Sequence, residues 1–142
     1  MLIGIPPLLG PDFLHVLRSM GHGDEIAIVD GNYPAAEHGR RLVRCDGLGL
    51  IDVARAVLTV MPVDENVADA IFRPAHGCDR DASEPIHDEI ETLCAAMAPG
   101  RPVRGLAGTA FYDRVRAAYA VVATSEPALY ANMIIRKGVI RP

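Results

Sequence analysis

A chain of 142 residues is one domain of ordinary size, long enough to bury a core without disulfides or a metal. Half of its residues are apolar and 23% are charged; with a formal net charge of −4, neither disorder nor a nucleic-acid partner is indicated. Aromatic residues make up 5% and Trp is absent, which argues against a base-stacking platform.

The chain opens on "MLIGIPPLLG", which is apolar but carries two prolines and no basic n-region, so it does not read as a signal peptide. "PDFLHVLRSMGHG" reads as a helix, with Pro11 at its first position, Gly21 as its C-terminal cap and Phe13, Leu14, Val16, Leu17 and Met20 on its apolar face. "EIAIVD" is short, β-branched and bounded by turn residues, so it predicts a strand. "GNYPAAEHG" then reads as a loop broken by Gly31, Asn32 and Pro34. "RLVRC" predicts a strand and "GLIDVARAVLTVM" a helix through Leu50, Val53, Ala54, Val57 and Leu58.

"VADAIFRP" predicts a further strand. "SEPIHDEIETLCAAM" predicts a helix with Ser83 as N-cap and acids in its first turn. "VRGLA" is a short strand, "TAFYDRVRAAYA" a helix, "YAVVATS" a strand and "NMIIRKGVI" the last strand. Helices and strands alternate, so residues 1–142 predict a single α/β domain: a mixed β-sheet flanked by helices. Neither GxGxxG nor a P-loop is present, and no apolar run approaches the roughly 18 residues of a membrane span. Cys45, Cys78 and Cys94 are odd in number and irregular in spacing, which fits reduced thiols in a cytoplasmic protein better than a disulfide framework or a zinc site.

Among five histidines, His22 stands apart. It lies between two glycines, just past a helix and just before a strand, where the backbone can turn sharply. An imidazole there is exposed at a mouth, and its reference pKa of about 6.5 lets it give and take protons near neutral pH. Asp30 ends the following strand, where open α/β sheets bind ligands, and could accept hydrogen bonds from hydroxyls. The plainer alternative is a structural turn and an Asx cap. Tyr130 and Asn132 flank Ala131 at the entry to the last strand and offer donors and acceptors that suit a sugar. The plainer alternative there is a rim tyrosine and a turn asparagine. His15 and His87 read as partly solvated helix faces, Phe111 and Tyr112 as core, and His38 as a neighbour of the Asp30 pocket. His76 and Cys78 lack a third metal ligand, and a metal site built from His22, His38 and Asp30 lacks a recognisable motif.

"MGHGDEI", "VDGNYPA", "RCDGLGLIDVARAVL", "AFYDRVRAAYAVVATSE" and "LYANMIIRKGVI" occur in one order across nearly the whole chain. Together they resemble the RbsD/FucU family of sugar mutarotases, which contains L-fucose mutarotases and D-ribose pyranases. "AFYDR" and "RKGV" resemble the fucose branch. The resemblance implies His22 as the acid/base catalyst, Asp30 as a substrate-binding carboxylate and Tyr130, Ala131 and Asn132 as a substrate-binding tripeptide. Tyr130 is also the candidate for the complementary catalytic group. It implies a monosaccharide substrate, no cofactor or metal, and a homo-oligomeric ring, often of stacked pentamers, with sites near subunit contacts. The activity implied is interconversion of α and β anomers by ring opening and closure. The alternatives are pyranose/furanose isomerisation of D-ribose and non-catalytic sugar binding associated with transport. One position departs from the pattern: Gly108 stands where the fucose branch has a substrate-contacting arginine, and Arg104 is the candidate to replace it.

Overall fold

The computed structural model describes all residues, 1–142. Six strands form one sheet: β1 (Glu25–Val29), β2 (Leu42–Cys45), β3 (Ile71–Pro74), β4 (Val103–Leu106), β5 (Ala120–Thr124) and β6 (Met133–Arg136). Their order across the sheet is β2-β5-β1-β6-β3-β4. β1 runs parallel to β5, and β5 to β2; β3 runs parallel to β4. β6 is antiparallel to both β1 and β3, so it alone is reversed within an otherwise parallel sheet. β1 and β5 are apolar on both faces, as parallel strands covered by helices must be.

Five helices cover the sheet: α1 (Pro11–Ser19), α2 (Ala35–His38), α3 (Leu50–Val60), α4 (Pro85–Met97) and α5 (Ala110–Ala117). α1, α3 and α4 bury Phe13, Val53, Val57, Ile90 and Leu93 against Ile26, Ile28 and Ile135 on one face. α2 and α5 bury Ala35, Phe111 and Val115 against Val29, Phe72 and Ile134 on the other. The result is the three-layer α/β arrangement that the alternating pattern predicts. Replacing Ile28, which is 0% exposed, by Ala should cost about 2–5 kcal/mol. No helix is long and apolar enough to cross a membrane.

Three local expectations are corrected. The "GNYPAAEHG" loop contains the short helix α2, which packs Ala35 onto the sheet. α4 is preceded by Glu84 rather than Ser83 as its N-cap residue. α1 ends at Met20 with extended backbone, not in a glycine cap. Its terminal carbonyls are taken instead by Lys137, whose Nζ donates to Leu17 O at 2.7 Å and Met20 O at 2.6 Å. A cation on the last turn also complements the helix dipole. The ligand for that helix end lies more than a hundred residues downstream, beyond the reach of a local cap rule.

Candidate active site

The parallel strands gather their C-terminal ends at one rim of the sheet, and the N-terminal end of β6 joins them there. The opposite rim holds the N-terminal end of β1 and the C-terminal end of β6. Glu25 pairs with Arg136 at that second rim, and Ile28 pairs with Met133 toward the first. The candidate residues divide between the two.

His22 lies on the second rim. Its Nε2 is 3.1 Å from Oδ2 of Asp64, and its side chain remains 45% exposed. Asp64 is buried and accepts further hydrogen bonds from Arg136 Nε at 2.9 Å and from the Asn66 amide at 2.9 Å. Burial alone would favour the neutral acid. The Asn66 amide, Arg136 and His22 outweigh it and bring the Asp64 pKa down to about 2. A charged carboxylate facing Nε2 keeps the proton on that nitrogen, leaving Nδ1 as the basic atom. Arg136 also approaches Glu25, which Arg114 holds with Nε at 2.9 Å. His22 therefore stands at the exposed end of an alternating chain of charges.

The glycines around His22 have separate reasons. Gly23 has φ +87°, and a Cβ there would lie 2.9 Å from Arg136 Nη2, so a side chain would disturb the cation that holds Asp64. Its amide donates to Lys137 O at 2.9 Å, and the Lys137 amide returns a bond to Asp24 O at 2.8 Å. Gly21 donates to Asp24 Oδ2 at 2.7 Å, closing the turn. A Cβ on Gly138 would lie 2.6 Å from Val63 O. "RKG" thus acts as a unit: Arg136 fixes the partner of His22, Lys137 fixes the end of α1, and Gly138 lets the segment carrying Asp64 lie close.

Asp30 lies on the first rim. Its carboxylate accepts from Asn132 Nδ2 at 2.8 Å and from the Asn32 amide at 2.9 Å, and its own amide donates to Asn132 Oδ1 at 2.8 Å. Asp30 and Asn132 thereby lock each other across β1 and β6. The bond from Asn32 is the Asx cap of the plainer reading, so this candidate has a turn role in any case. Asp30 is buried, and that burial raises its pKa above the ordinary aspartate value despite the hydrogen bonds that oppose it.

Tyr130 precedes the Asp30–Asn132 lock. It is half-buried, its ring centroid lies 5.0 Å from that of His76, and it is the single non-glycine residue with positive φ, at 57°. That conformation costs a tyrosine on the order of 1–3 kcal/mol, which the surroundings must supply. Ala131 is fully buried, so it anchors the segment and has no surface for a ligand within one chain.

The other sequence candidates separate. His38 binds Tyr33 Oη through Nδ1 at 2.9 Å, and its Nε2 lies 3.0 Å from Arg116, so it belongs to the α2–α5 face. His22, His38 and Asp30 do not converge. Phe111 is core as expected, but Tyr112 is exposed and stacks on Tyr33. His15 faces solvent. His87 does not: it is 0% exposed on the buried face of α4, which overturns the solvated-face expectation. It precedes Ile90 by three residues and Cys94 by seven, helical spacings that put it on their apolar stripe. Cys78 is exposed while Cys45 and Cys94 are buried, all as free thiols. Arg104 pairs with Asp69 at 3.0 Å, toward the N-terminal end of β3, and does not reach the first rim. Gly108 has φ +58°, with open space where a Cβ would stand. Asp64 is the candidate that sequence reasoning missed, because sheet pairing, not spacing, brings it to His22.

Similarity to known proteins follows this architecture. The chain is 39% identical to the fucose mutarotase of Homo sapiens, over 98% of this chain and 94% of that protein. It superposes on the crystal structure of the fucose mutarotase in complex with L-fucose from Streptococcus pneumoniae with a TM-score of 0.89 and 36% identity, covering 99% of this chain and all of that one. Bacillus subtilis RbsD, solved with D-ribose, shares the fold at a TM-score of 0.77 and 22% identity, covering 99% of this chain and 100% of that one. The profile of the RbsD / FucU transport protein family matches residues 3–140, and the chain belongs to that family.

Proposed function

We propose that this chain is an isomerase that interconverts the α and β anomers of L-fucose or a closely related aldose. The observation that carries this reading is full-length similarity to fucose mutarotases on a chain that holds His22 against a charged Asp64. Mutarotation removes the proton of the anomeric hydroxyl and delivers one to the ring oxygen as the C1–O5 bond breaks. Rotation about C1–C2 presents the other aldehyde face, and the reverse transfers close the ring. Nδ1 of His22 is suited to take one of those protons while Asp64 steadies the imidazolium that forms. A positioned acid/base typically supplies about 10²–10⁴-fold. Asp30, with Asn132 locked to it, would accept sugar hydroxyls, and orientation by these contacts lowers the entropic part of the barrier. Tyr130 is the candidate complementary proton donor.

His22 and Asp30 stand at opposite ends of β1, roughly 20 Å apart at about 3.3 Å per residue, which no monosaccharide spans. The reading therefore requires a homo-oligomer in which the His22 rim of one copy closes over the Asp30 rim of another. The same reading puts the protein in the cytoplasm, consistent with its free thiols. Gly108 favours a second reading, a sugar other than L-fucose or binding without catalysis, because the open space beside it lacks the arginine of the fucose branch.

The test is NMR exchange between the anomers of L-fucose, with and without protein, followed by the pyranose and furanose forms of D-ribose. Accelerated fucose exchange is expected. Acceleration of ribose alone would move the chain to the pyranase activity. No acceleration of either would leave a different aldose or a binding protein.

A further inference from the structure

Tyr130 is left-handed at φ 57° without being a glycine, so something must hold it. Its carbonyl accepts two hydrogen bonds. One comes from the Asn132 amide at 2.9 Å, within the same segment. The other comes from His87 Nε2 at 2.9 Å, on α4, 43 residues earlier in the sequence. The tautomer follows from the partners. The Glu84 amide donates to His87 Nδ1 at 3.0 Å, so Nδ1 is unprotonated and Nε2 carries the hydrogen given to Tyr130.

His87 occupies an apolar position. Ile86, Ile90, Leu93 and Cys94 are its buried neighbours on α4. An isoleucine or leucine would pack there without the penalty of desolvating an imidazole, and both ring nitrogens need partners to offset that penalty. Burial, with the charge of Arg73 adding to it, disfavours the imidazolium and keeps the ring neutral. Both partners of the ring are main-chain groups, one at the start of α4 and one at Tyr130. The side chain therefore ties the helix to the loop at its strained residue.

We propose that His87 is a positioning residue of the sugar site: its Nε2–H holds the Tyr130 carbonyl and so fixes the left-handed backbone that aims the phenol. This rests on the reading that Tyr130 contacts the sugar. His87 touches no substrate itself, and its effect passes entirely through Tyr130.

The test is a double-mutant cycle on kcat/KM for L-fucose anomer exchange. His87→Phe fills the volume but removes the donor, His87→Gln restores an N–H at similar reach, and Tyr130→Ala removes the ring. His87→Phe is expected to lower kcat/KM about tenfold, mostly through KM, with His87→Gln recovering much of the loss. In the Tyr130→Ala background, His87→Phe should cost nothing further. Wild-type activity in His87→Phe, or a loss that adds fully to that of Tyr130→Ala, overturns the proposal while leaving the functional reading standing. Wild-type activity in Tyr130→Ala removes Tyr130 from the sugar site and overturns the proposal, whereas absence of fucose exchange in the unmodified protein is what overturns the functional reading. The 15N shifts of the His87 ring provide a test that needs no variant: a neutral ring protonated at Nε2 is expected, and a ring protonated at Nδ1 overturns the strap.

Discussion

His22 and Asp30 are eight residues apart and sit at the two ends of one strand, yet the rims hold their carboxylates by opposite means. At the His22 rim, Asp64 is buried and accepts from the Asn66 amide at 2.9 Å, Arg136 at 2.9 Å and His22 at 3.1 Å, and its pKa falls to about 2. At the Asp30 rim, the partners are amides, those of Asn132 and Asn32, and the carboxyl pKa rises. Both carboxylates accept hydrogen bonds and both are buried. Each accepts from a backbone amide, Asn66 at one rim and Asn32 at the other. At Asp64 the hydrogen bonds from Arg136 and His22 add to that amide and together outweigh desolvation, whereas at Asp30 the further bond from Asn132 does not. One rim is thus built to keep an acid ionised beside an imidazole. The other keeps an acid oriented but poorly solvated, as a group awaiting hydroxyl donors would be.

The largest expected effect tests the catalytic half. His22→Ala or His22→Gln should remove about 10²–10⁴-fold of anomer exchange while leaving the fold intact, read by NMR exchange and thermal melting. Full activity in either variant would end the role of His22. Mixing tests whether the rims of different copies meet. His22→Ala and Asp30→Asn, each impaired alone, should regain activity when co-assembled, because some sites then receive both native residues. Failure to regain any, with mixed assembly verified by mass spectrometry, would show that one copy supplies both.

Asp64→Asn should lower kcat roughly 10–10²-fold with little change in KM, because an amide can turn either atom toward Nε2 and no longer fixes the tautomer. Equal loss in KM would make Asp64 a substrate contact instead. Asp30→Asn should act the other way round, raising KM about tenfold with a smaller change in kcat.

The smallest effects are in pH. Asp64, with a folded pKa of about 2 against about 3.9 unfolded, contributes stability that is present above pH 4 and lost as pH falls toward 2. Asp64→Asn should therefore flatten acid unfolding in that window. Asp30 has a raised pKa, so sugar affinity should fall with falling pH earlier than an ordinary aspartate would allow. A KM that stays flat down to the ordinary aspartate range would contradict this.

Most of the fold was legible because periodicity and punctuation are local. The apolar spacing of α1 and α3 and the β-branched runs of β1 and β5 fix those elements without reference to the rest of the chain. α2 was not legible, since four residues between breakers make barely one helical turn and cannot show a repeating period. Nor was the end of α1, whose ligand is Lys137. His87 could have been found from its three- and seven-residue spacing to Ile90 and Cys94. Asp64 could not: 42 residues separate it from His22, and only the reversal of β6, with its bridge between Val63 and Lys137, joins them.

By itself the sequence determined the element types, the α/β class, the family resemblance and the residues with the right chemistry, because each is written in local pattern or side-chain identity. Tertiary structure alone decided which of those residues share a rim, which proton His22 carries, and why Tyr130 stands as it does. Those properties depend on strand direction, on charge brought close by sheet pairing, and on burial, and none of the three is a property of neighbouring residues.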